Sequence, residues 1–219
     1  MSFPTPTRIT VLISGNGTNL QALIDAQPTT LSPARIVRVI SNKKAAYGLE
    51  RAKTANIPTA YHNIVAYRKK YEPKDETAAR QAYDADLAAL VLKDAPNLVV
   101  CAGFMHILSP QFLEPLAEKG VDIINLHPAK WGMFDGAGAI EKAHKAFMDG
   151  EITETGVMIH YVIAQVDRGE LLVEEPIPLV HPDDDTVEAL QEKIHSVEHK
   201  LIIRGTLMAI ENLQRKQSS

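Results

Sequence analysis

Short apolar runs alternate with helical patterns over the first 128 residues, and this alternation leaves few folds open to the chain. The runs at 8–14, 35–41, 58–62, 97–102 and 122–128 have the length and composition of buried strands. Strands and helices in strict succession build a parallel sheet with helices on both faces. The sequence therefore predicts an α/β fold with a Rossmann-like, mostly parallel sheet.

Helical spacing of apolar residues fills most of the gaps between these runs. The predicted helices begin at 20–24 and cover 47–55, 78–94 and 109–119. Ser109 and Pro110 are typical of a cap followed by proline in the first turn. Residues 68–77 are polar and indicate a surface loop, after which Thr77 is a candidate cap for the next helix.

The pattern changes after residue 128. The remaining predicted elements are a helix at 138–149, strands at 156–164 and 170–179, and a long helix from Thr186 to Asn212. Residues 166–169 suit a hairpin turn between the two strands, which predicts an antiparallel C-terminal extension of the sheet. We expect the tails 1–6 and 214–219 to be flexible.

Composition limits the classes of function. The chain has 219 residues, 45% of them hydrophobic, which suits a single domain. The net charge is −4 without a long basic block, so nucleic acid is not expected as the main partner. No 18-residue apolar run or secretion signal is present, so we expect no membrane association and a cytoplasmic location. Cys101 is the single cysteine, which excludes an internal disulfide.

The run at 122–128 ends in residues that could carry chemistry. Asn125 and His127 are two positions apart, so on a strand they project to the same side, and Pro128 ends the strand. An amide that stabilises an oxyanion beside an imidazole that moves a proton suits acyl transfer. The alternative is a strand end whose polar residues face solvent.

The segment Ser14-Gly-Asn-Gly-Thr-Asn19 joins the first strand to the first helix. Glycines allow backbone N–H groups to turn toward a ligand, and a helix start favours an anion. The segment matches neither the dinucleotide fingerprint nor a P-loop. Spacing alone therefore leaves two interpretations, a phosphate site and a tight turn.

Two further candidates lie in the C-terminal part. A carboxylate at Asp167 would orient His127 if the fold brought them together, although Asp-Arg-Gly is also a common turn composition. His195-Ser-Val-Glu198-His199 matches the inverted zinc-protease signature, which makes a zinc-dependent hydrolase an alternative. Such a site needs a third ligand, and Glu211, in the same helix, lies too far along it to converge.

Four stretches together resemble the folate-dependent formyltransferases, and most closely those that act on phosphoribosylglycinamide. They are residues 11–25, 102–110, 124–128 and 166–170, in the order found in that family. The resemblance implies one domain over 1–219, with a phosphate-binding half at about 8–128 and a folate and catalytic half at about 129–212. It implies formyl transfer from 10-formyltetrahydrofolate to the amine of 5′-phosphoribosylglycinamide, in de novo purine biosynthesis, by direct attack and without a metal.

The resemblance also implies roles for individual residues. The expected catalytic residues are Asn125, His127 and Asp167. The expected substrate-binding residues are Gly17, Thr18 and Asn19 for the phosphate, with His195, Ser196, Val197 and Glu198 for the glycinamide part. The expected folate-binding residues are Arg80, Met105, His106, Ile107, Leu108 and Asn125. The partners are then small molecules, and the enzyme is expected to be a monomer or a homodimer.

The chain departs from that family at two places. Residues 130–136 replace a loop that usually contains Leu-Pro, and His106 stands where many relatives carry arginine. A related formyltransferase that acts on a different amine, such as methionyl-tRNA or an amino sugar, therefore remains an alternative.

Overall fold

The computed structural model describes residues 6–71 and 75–218, which are built around one seven-stranded sheet. The strands are β1 (Thr7–Ile13), β2 (Ala34–Ser41), β3 (Thr59–Tyr61), β4 (Leu98–Cys101), β5 (Asp122–His127), β6 (Glu154–Tyr161) and β7 (Leu171–Pro178). Their spatial order is β3-β2-β1-β4-β5-β6-β7. The first five are parallel, and β6 and β7 pair antiparallel. The predicted α/β fold with an antiparallel C-terminal extension is confirmed.

Helices cover both faces of the sheet. They are α1 (Thr18–Ala26), α2 (Gly48–Thr54), α3 (Val65–Tyr71), α4 (Glu76–Leu92), α5 (Pro110–Glu118), α6 (Ala139–Met148) and α7 (Val187–Ser218). Helices α1, α2, α6 and α7 share one apolar core with the sheet, and α4 and α5 share the other. Successive strand residues divide between these cores, as Val11 and Leu12 do in β1. No helix in the described ranges is long and apolar enough to cross a bilayer.

The strand order places a ligand crevice at the carboxyl ends of β1 and β4. The chain runs outward from β1 to β2 and β3, then returns to β4 on the other side of β1. Open α/β sheets bind ligands where the strand order reverses in this way. Ser14 follows β1 and donates its N–H to the carbonyl of Gly103, which follows β4, at 3.0 Å. The two loops that line the crevice are therefore joined to each other.

Several sequence-based boundaries are wrong. The predicted loop at 68–77 contains the end of α3, a helix without a buried residue and hence without an apolar stripe to detect. Thr77 is not the cap of α4; the Asp75 carboxylate accepts from the N–H of Ala78 at 2.9 Å. Residues 72–74 lie outside the described ranges.

The C-terminal elements also differ from the prediction. Strand β6 ends at Tyr161, so the connection to β7 covers residues 162–170 rather than a four-residue turn. The expected flexible tail at 214–219 is helical as far as Ser218, because α7 continues past Asn212 and buries Leu213 in the core. Residues 1–5 and 219, also expected to be flexible, lie outside the described ranges.

Candidate functional site

A cavity of about 590 Å³ opens at the carboxyl ends of β4 and β5. Its walls come from the loops at 103–108, 136–139 and 162–167. Asn125, His127 and Asp167 line it together. Of these, His127 is 4% and Asp167 8% exposed. The three residues expected to be catalytic are therefore neighbours in one largely water-excluded site.

The contacts among the three residues run through the Asp167 carboxylate. His127 Nδ1 lies 3.5 Å from Asp167 Oδ2, and Asn125 Nδ2 lies 3.4 Å from Oδ1. Both distances are long for hydrogen bonds, so the side chains adjoin without being locked together. Asn125 and His127 both face the cavity because they are two positions apart on β5 and so point to the same side of the strand. Asp167 comes from the loop between β6 and β7. The contact between His127 and Asp167 thus arises from the tertiary fold.

The backbone around Asp167 is fixed in an uncommon conformation. Asp167 has φ +53°, in the left-handed region that costs a non-glycine residue roughly 1–2 kcal/mol. The Gly136 N–H donates to Asp167 Oδ2 at 2.8 Å. This charge-assisted hydrogen bond ties the carboxylate to the 130–136 segment.

A second histidine completes the cluster. His160 is the cross-strand neighbour of Asn125 between β5 and β6, and it is 2% exposed. Its Nδ1 donates to the carbonyl of Tyr161 at 2.8 Å, and its Nε2 lies 3.4 Å from both Asp167 Oδ1 and Asn125 Nδ2. His160 therefore contacts both the Asp167 carboxylate and the Asn125 amide.

Burial and charge act in opposite directions on the titration of the site. Burial lowers the pKa of His127, and this outweighs the Asp167 carboxylate and the Phe134 carbonyl, which raise it. Burial alone would raise the pKa of Asp167. The nearby His160, the hydrogen bond from the Gly136 N–H and the nearby His127 together lower that pKa below its ordinary value. The arrangement is thus a neutral imidazole beside an ionised carboxylate near pH 7.

The glycine segment after β1 leads into α1 without a capping side chain. Gly17 is the N-cap of α1, has φ +76°, and leaves the first turn of the helix without a side-chain cap. A Cβ atom on Gly17 would lie 2.6 Å from the Cα of Gly48, so only glycine fits. Arg51 holds the segment, because it donates to the carbonyl of Asn16 at 2.9 Å and to the Asn16 side chain at 2.8 Å.

Asn19 and Glu198 meet on the other side of this segment. Asn19 Nδ2 donates to Glu198 Oε2 at 2.9 Å, and both side chains are buried. The side-chain amide oxygen of Asn19, Oδ1, is buried without a partner among the described residues. A buried carboxylate and an unpaired amide oxygen beside a helix N-terminus could receive an ammonium or hydroxyl donor.

The chain matches the family model described as formyl transferase over residues 7–206. The chain belongs to the formyl transferase family. It is 48% identical to phosphoribosylglycinamide formyltransferase of Schizosaccharomyces pombe over 90% of this chain and 94% of the relative. It is 43% identical to the Saccharomyces cerevisiae protein of that name, over 95% and 99%. Glycinamide ribonucleotide transformylase 1 from Symbiobacterium toebii superposes with a TM-score of 0.77 at 32% identity, over 93% and 87%. The sequence resemblance is confirmed.

In this formyl transferase the residues expected to bind folate line the cavity. Met105 is 72% and Ile107 51% exposed, so the cavity presents apolar surface that a ligand would cover. Arg80 donates through Nη2 to the Ile107 carbonyl, and its Nε is buried without a partner. Leu108 lines the cavity and is buried. The roles of these residues in binding stay a prediction.

The His106 side chain is held in place by its neighbours. Its Nε2 lies 2.7 Å from Oδ1 of the fully buried Asp84, whose other oxygen accepts from the N–H of Ser109 at 2.9 Å. The ring packs edge-on against Tyr83 and Phe104. His106 therefore contributes a fixed ring to the wall of the cavity.

The remaining predicted residues on α7 differ in their environment. Ser196 is exposed and donates to the Lys193 carbonyl of its own helix, whereas Val197 packs against the core. His195 is half-buried, and His199 Nε2 is buried without a partner. Within 6–71 and 75–218, no three His, Cys, Asp or Glu side chains converge as metal ligands, so the zinc interpretation gains no geometric support.

The local sequence does not indicate several of the contacts in this region. His160 and Arg51 act through contacts with distant elements, which the local sequence does not indicate. Ser14 Oγ accepts from the Met105 N–H and donates to Asn42 Oδ1, both at 2.7 Å. Because Asn42 and Met105 line the cavity and Ser14 precedes the glycine segment, the cavity and the glycine segment adjoin.

Proposed function

We propose that this formyl transferase moves the formyl group of 10-formyltetrahydrofolate to the amine of 5′-phosphoribosylglycinamide, a step of de novo purine biosynthesis. Relatives with that name are 43–48% identical to the chain and match it over nearly their whole length. We also propose a cytoplasmic enzyme that works as a monomer or homodimer without metal or nucleic acid.

The observation that carries this proposal is the meeting of Asn125, His127 and Asp167 at one cavity beside a glycine-lined helix start. Formyl transfer between nitrogens needs a donor for an oxyanion, a group that moves a proton, and a charge that stabilises that group when protonated. The three side chains supply these in order. A serine or cysteine nucleophile is not needed, because the amine attacks the formyl carbon directly.

Asn125 and His127 divide the chemistry. The Asn125 amide would donate to the formyl oxygen as negative charge develops on it, an effect of roughly 3–4 kcal/mol for a well-placed donor. His127, neutral because burial lowers its pKa, would take the proton released by the attacking amine and deliver it to the leaving nitrogen of the folate. Proton transfer by a positioned imidazole contributes about 10²–10⁴-fold.

Asp167 would stabilise the imidazolium that forms transiently on His127. Its pKa is lowered, so the carboxylate is charged throughout the neutral range. The Gly136 N–H holds its Oδ2 at 2.8 Å, and His160 Nε2 lies 3.4 Å from its Oδ1.

The cavity suits the folate co-substrate, which supplies the formyl group when bound. Met105 and Ile107 offer apolar surface to a flat ring system, and backbone groups of this loop could pair with its polar edge. The buried Nε of Arg80 has no protein partner, so a carboxylate of the folate tail could satisfy it.

The glycine segment and α7 suit the ribonucleotide. The uncapped first turn of α1, at Gly17, Thr18 and Asn19, would hold the 5′-phosphate through backbone N–H groups. The buried Glu198 carboxylate would accept hydrogen bonds from the sugar or the glycinamide part. The phosphate would then lie beside the cavity and the amine inside it.

The test is steady-state formyl transfer from 10-formyltetrahydrofolate, measured by folate absorbance, with glycinamide ribonucleotide, methionyl-tRNA or an amino sugar nucleotide as acceptor. We expect turnover only with the ribonucleotide, and the same rate in a metal chelator. Preference for another acceptor would refute the substrate assignment. Loss of activity in the chelator, restored by zinc, would refute the metal-free mechanism.

A further inference from the structure

The 130–136 segment is attached firmly to the β6–β7 region. Lys130 pairs with Glu154 at the start of β6. The N–H of Trp131 donates to Glu174 Oε2 at 2.5 Å, and its indole Nε1 donates to the Gly169 carbonyl at 3.2 Å. We call residues 130–136 the closing loop, because they border His127 and Asp167.

Arg168, the residue that follows Asp167, contacts the closing loop at two side chains. Its Nε donates to Asp135 Oδ2 at 2.6 Å, and its guanidinium lies 5.7 Å from the centre of the Trp131 ring. The pair is about one-third exposed on each side, so water screens it only in part. A planar guanidinium can hold a carboxylate and an aromatic ring at once, which lysine cannot do equally well.

Asp135 stands between the two closing-loop residues that contact the catalytic side chains. The carbonyl of Phe134 lies 3.2 Å from His127 Nε2, and the N–H of Gly136 donates to Asp167 Oδ2 at 2.8 Å. A shift of Asp135 would therefore move both contacts.

We propose that Arg168 is a positioning residue that acts through Asp135 and Trp131 to hold the closing loop against His127 and Asp167. This inference rests on the proposed function, since it assigns a role in the same reaction. Within the described ranges, the Arg168 side chain makes no hydrogen bond to His127 or Asp167; it holds the backbone that does.

Backbone conformation supports the need for such a restraint. Phe134 has φ +52° and Asp167 has φ +53°, a region that non-glycine residues adopt rarely and keep only when their surroundings hold them. Arg168 and Asp135 are the immediate chain neighbours of these two residues, so their ion pair joins the two uncommon conformations. Without it both residues can relax toward ordinary backbone angles.

The test compares Arg168→Ala, Asp135→Asn and the double variant in the formyl transfer assay. We expect kcat to fall roughly 10- to 100-fold in each, the size of effect produced by small misplacement of catalytic groups, with both KM values changed less than about threefold. The double variant should be no worse than the poorer single variant, because both break one pair. Additive losses, or a change in KM alone, would overturn the proposal.

Arg38→Ala is the matched control. Arg38 forms a similar partly buried pair with Asp94, which follows α4 and lies outside the cavity. This variant should lose stability but keep kcat. A fall in kcat as large as that of Arg168→Ala would mean that the loss of any ion pair lowers kcat, and it would overturn the specific role of Arg168.

Hydrogen exchange at the Gly136 amide gives a readout independent of turnover. Exchange should become faster in Arg168→Ala and Asp135→Asn but not in Arg38→Ala, because the hydrogen bond to Asp167 depends on the closing loop. If wild-type protein forms no product, the proposed function fails while this exchange still tests the restraint. Unchanged protection of Gly136 would overturn the inference whatever the activity.

Discussion

Replacement of Asp167 by asparagine should remove the charge on which His127 depends while leaving a side chain of the same shape. Asp167 Oδ2 lies 3.5 Å from His127 Nδ1, and both side chains are less than one-tenth exposed. With an effective dielectric constant of about 20, a carboxylate at that distance stabilises an imidazolium by roughly 5 kcal/mol, an upper value. We therefore expect kcat to fall by about 10²–10⁴-fold, with folate affinity retained.

The assay is kcat for formyl transfer, with the dissociation constant of a stable folate analogue measured in parallel. Asp184→Asn is the control, because Asp184 is a buried carboxylate paired with Lys193 and outside the cavity. That variant should lose stability and keep kcat. If Asp167→Asn retained more than about a tenth of the wild-type kcat, the charge of Asp167 would not be needed and the argument would be refuted.

Three further predictions concern the rest of the site. Gly17→Ala should lower the unfolding free energy by roughly 2–5 kcal/mol, because of the left-handed φ of Gly17 and the 2.6 Å approach of the new Cβ to Gly48, and it should weaken ribonucleotide binding. Gly15→Ala, which has open space around its Cβ, should do neither, and equal effects of the two variants would contradict the prediction. Asn125→Ala should lower kcat about 10²–10³-fold at unchanged melting temperature, and wild-type kcat would exclude an oxyanion role. Because burial lowers the pKa of His127, the unfolded chain binds the proton more readily, so unfolding free energy should fall as pH drops below about 6.5. The part of this loss that comes from His127 should be absent in His127→Gln. Calorimetry that gives the same pH profile of stability for His127→Gln and wild type would contradict the prediction.

The order of strands and helices could be predicted because period-2 and period-3.6 patterns are strong where elements are buried on the sheet. Helix α3 has no signal in the sequence because it buries no residue, and the sequence does not distinguish Asp75 from Thr77 as the cap of α4, because both are good capping types. His160 could not be found, since its pairing with Asn125 depends on the antiparallel register of β5 and β6.

The closing loop shows a different limit. Trp131, Asp135 and Arg168 look like ordinary loop residues, and their relation to His127 depends on side-chain contacts across two connections of the chain. The sequence alone does not indicate that Phe134 and Gly136 contact His127 and Asp167.

The most direct test of the catalytic assignment is the rate of formyl transfer in His127→Ala at saturating ribonucleotide and folate. Binding of a folate analogue to wild type and variant is measured on the same preparations. We predict a loss of at least about 10²-fold in rate with folate affinity within about threefold of wild type. A variant that binds folate and transfers the formyl group at the wild-type rate would contradict the central role of His127.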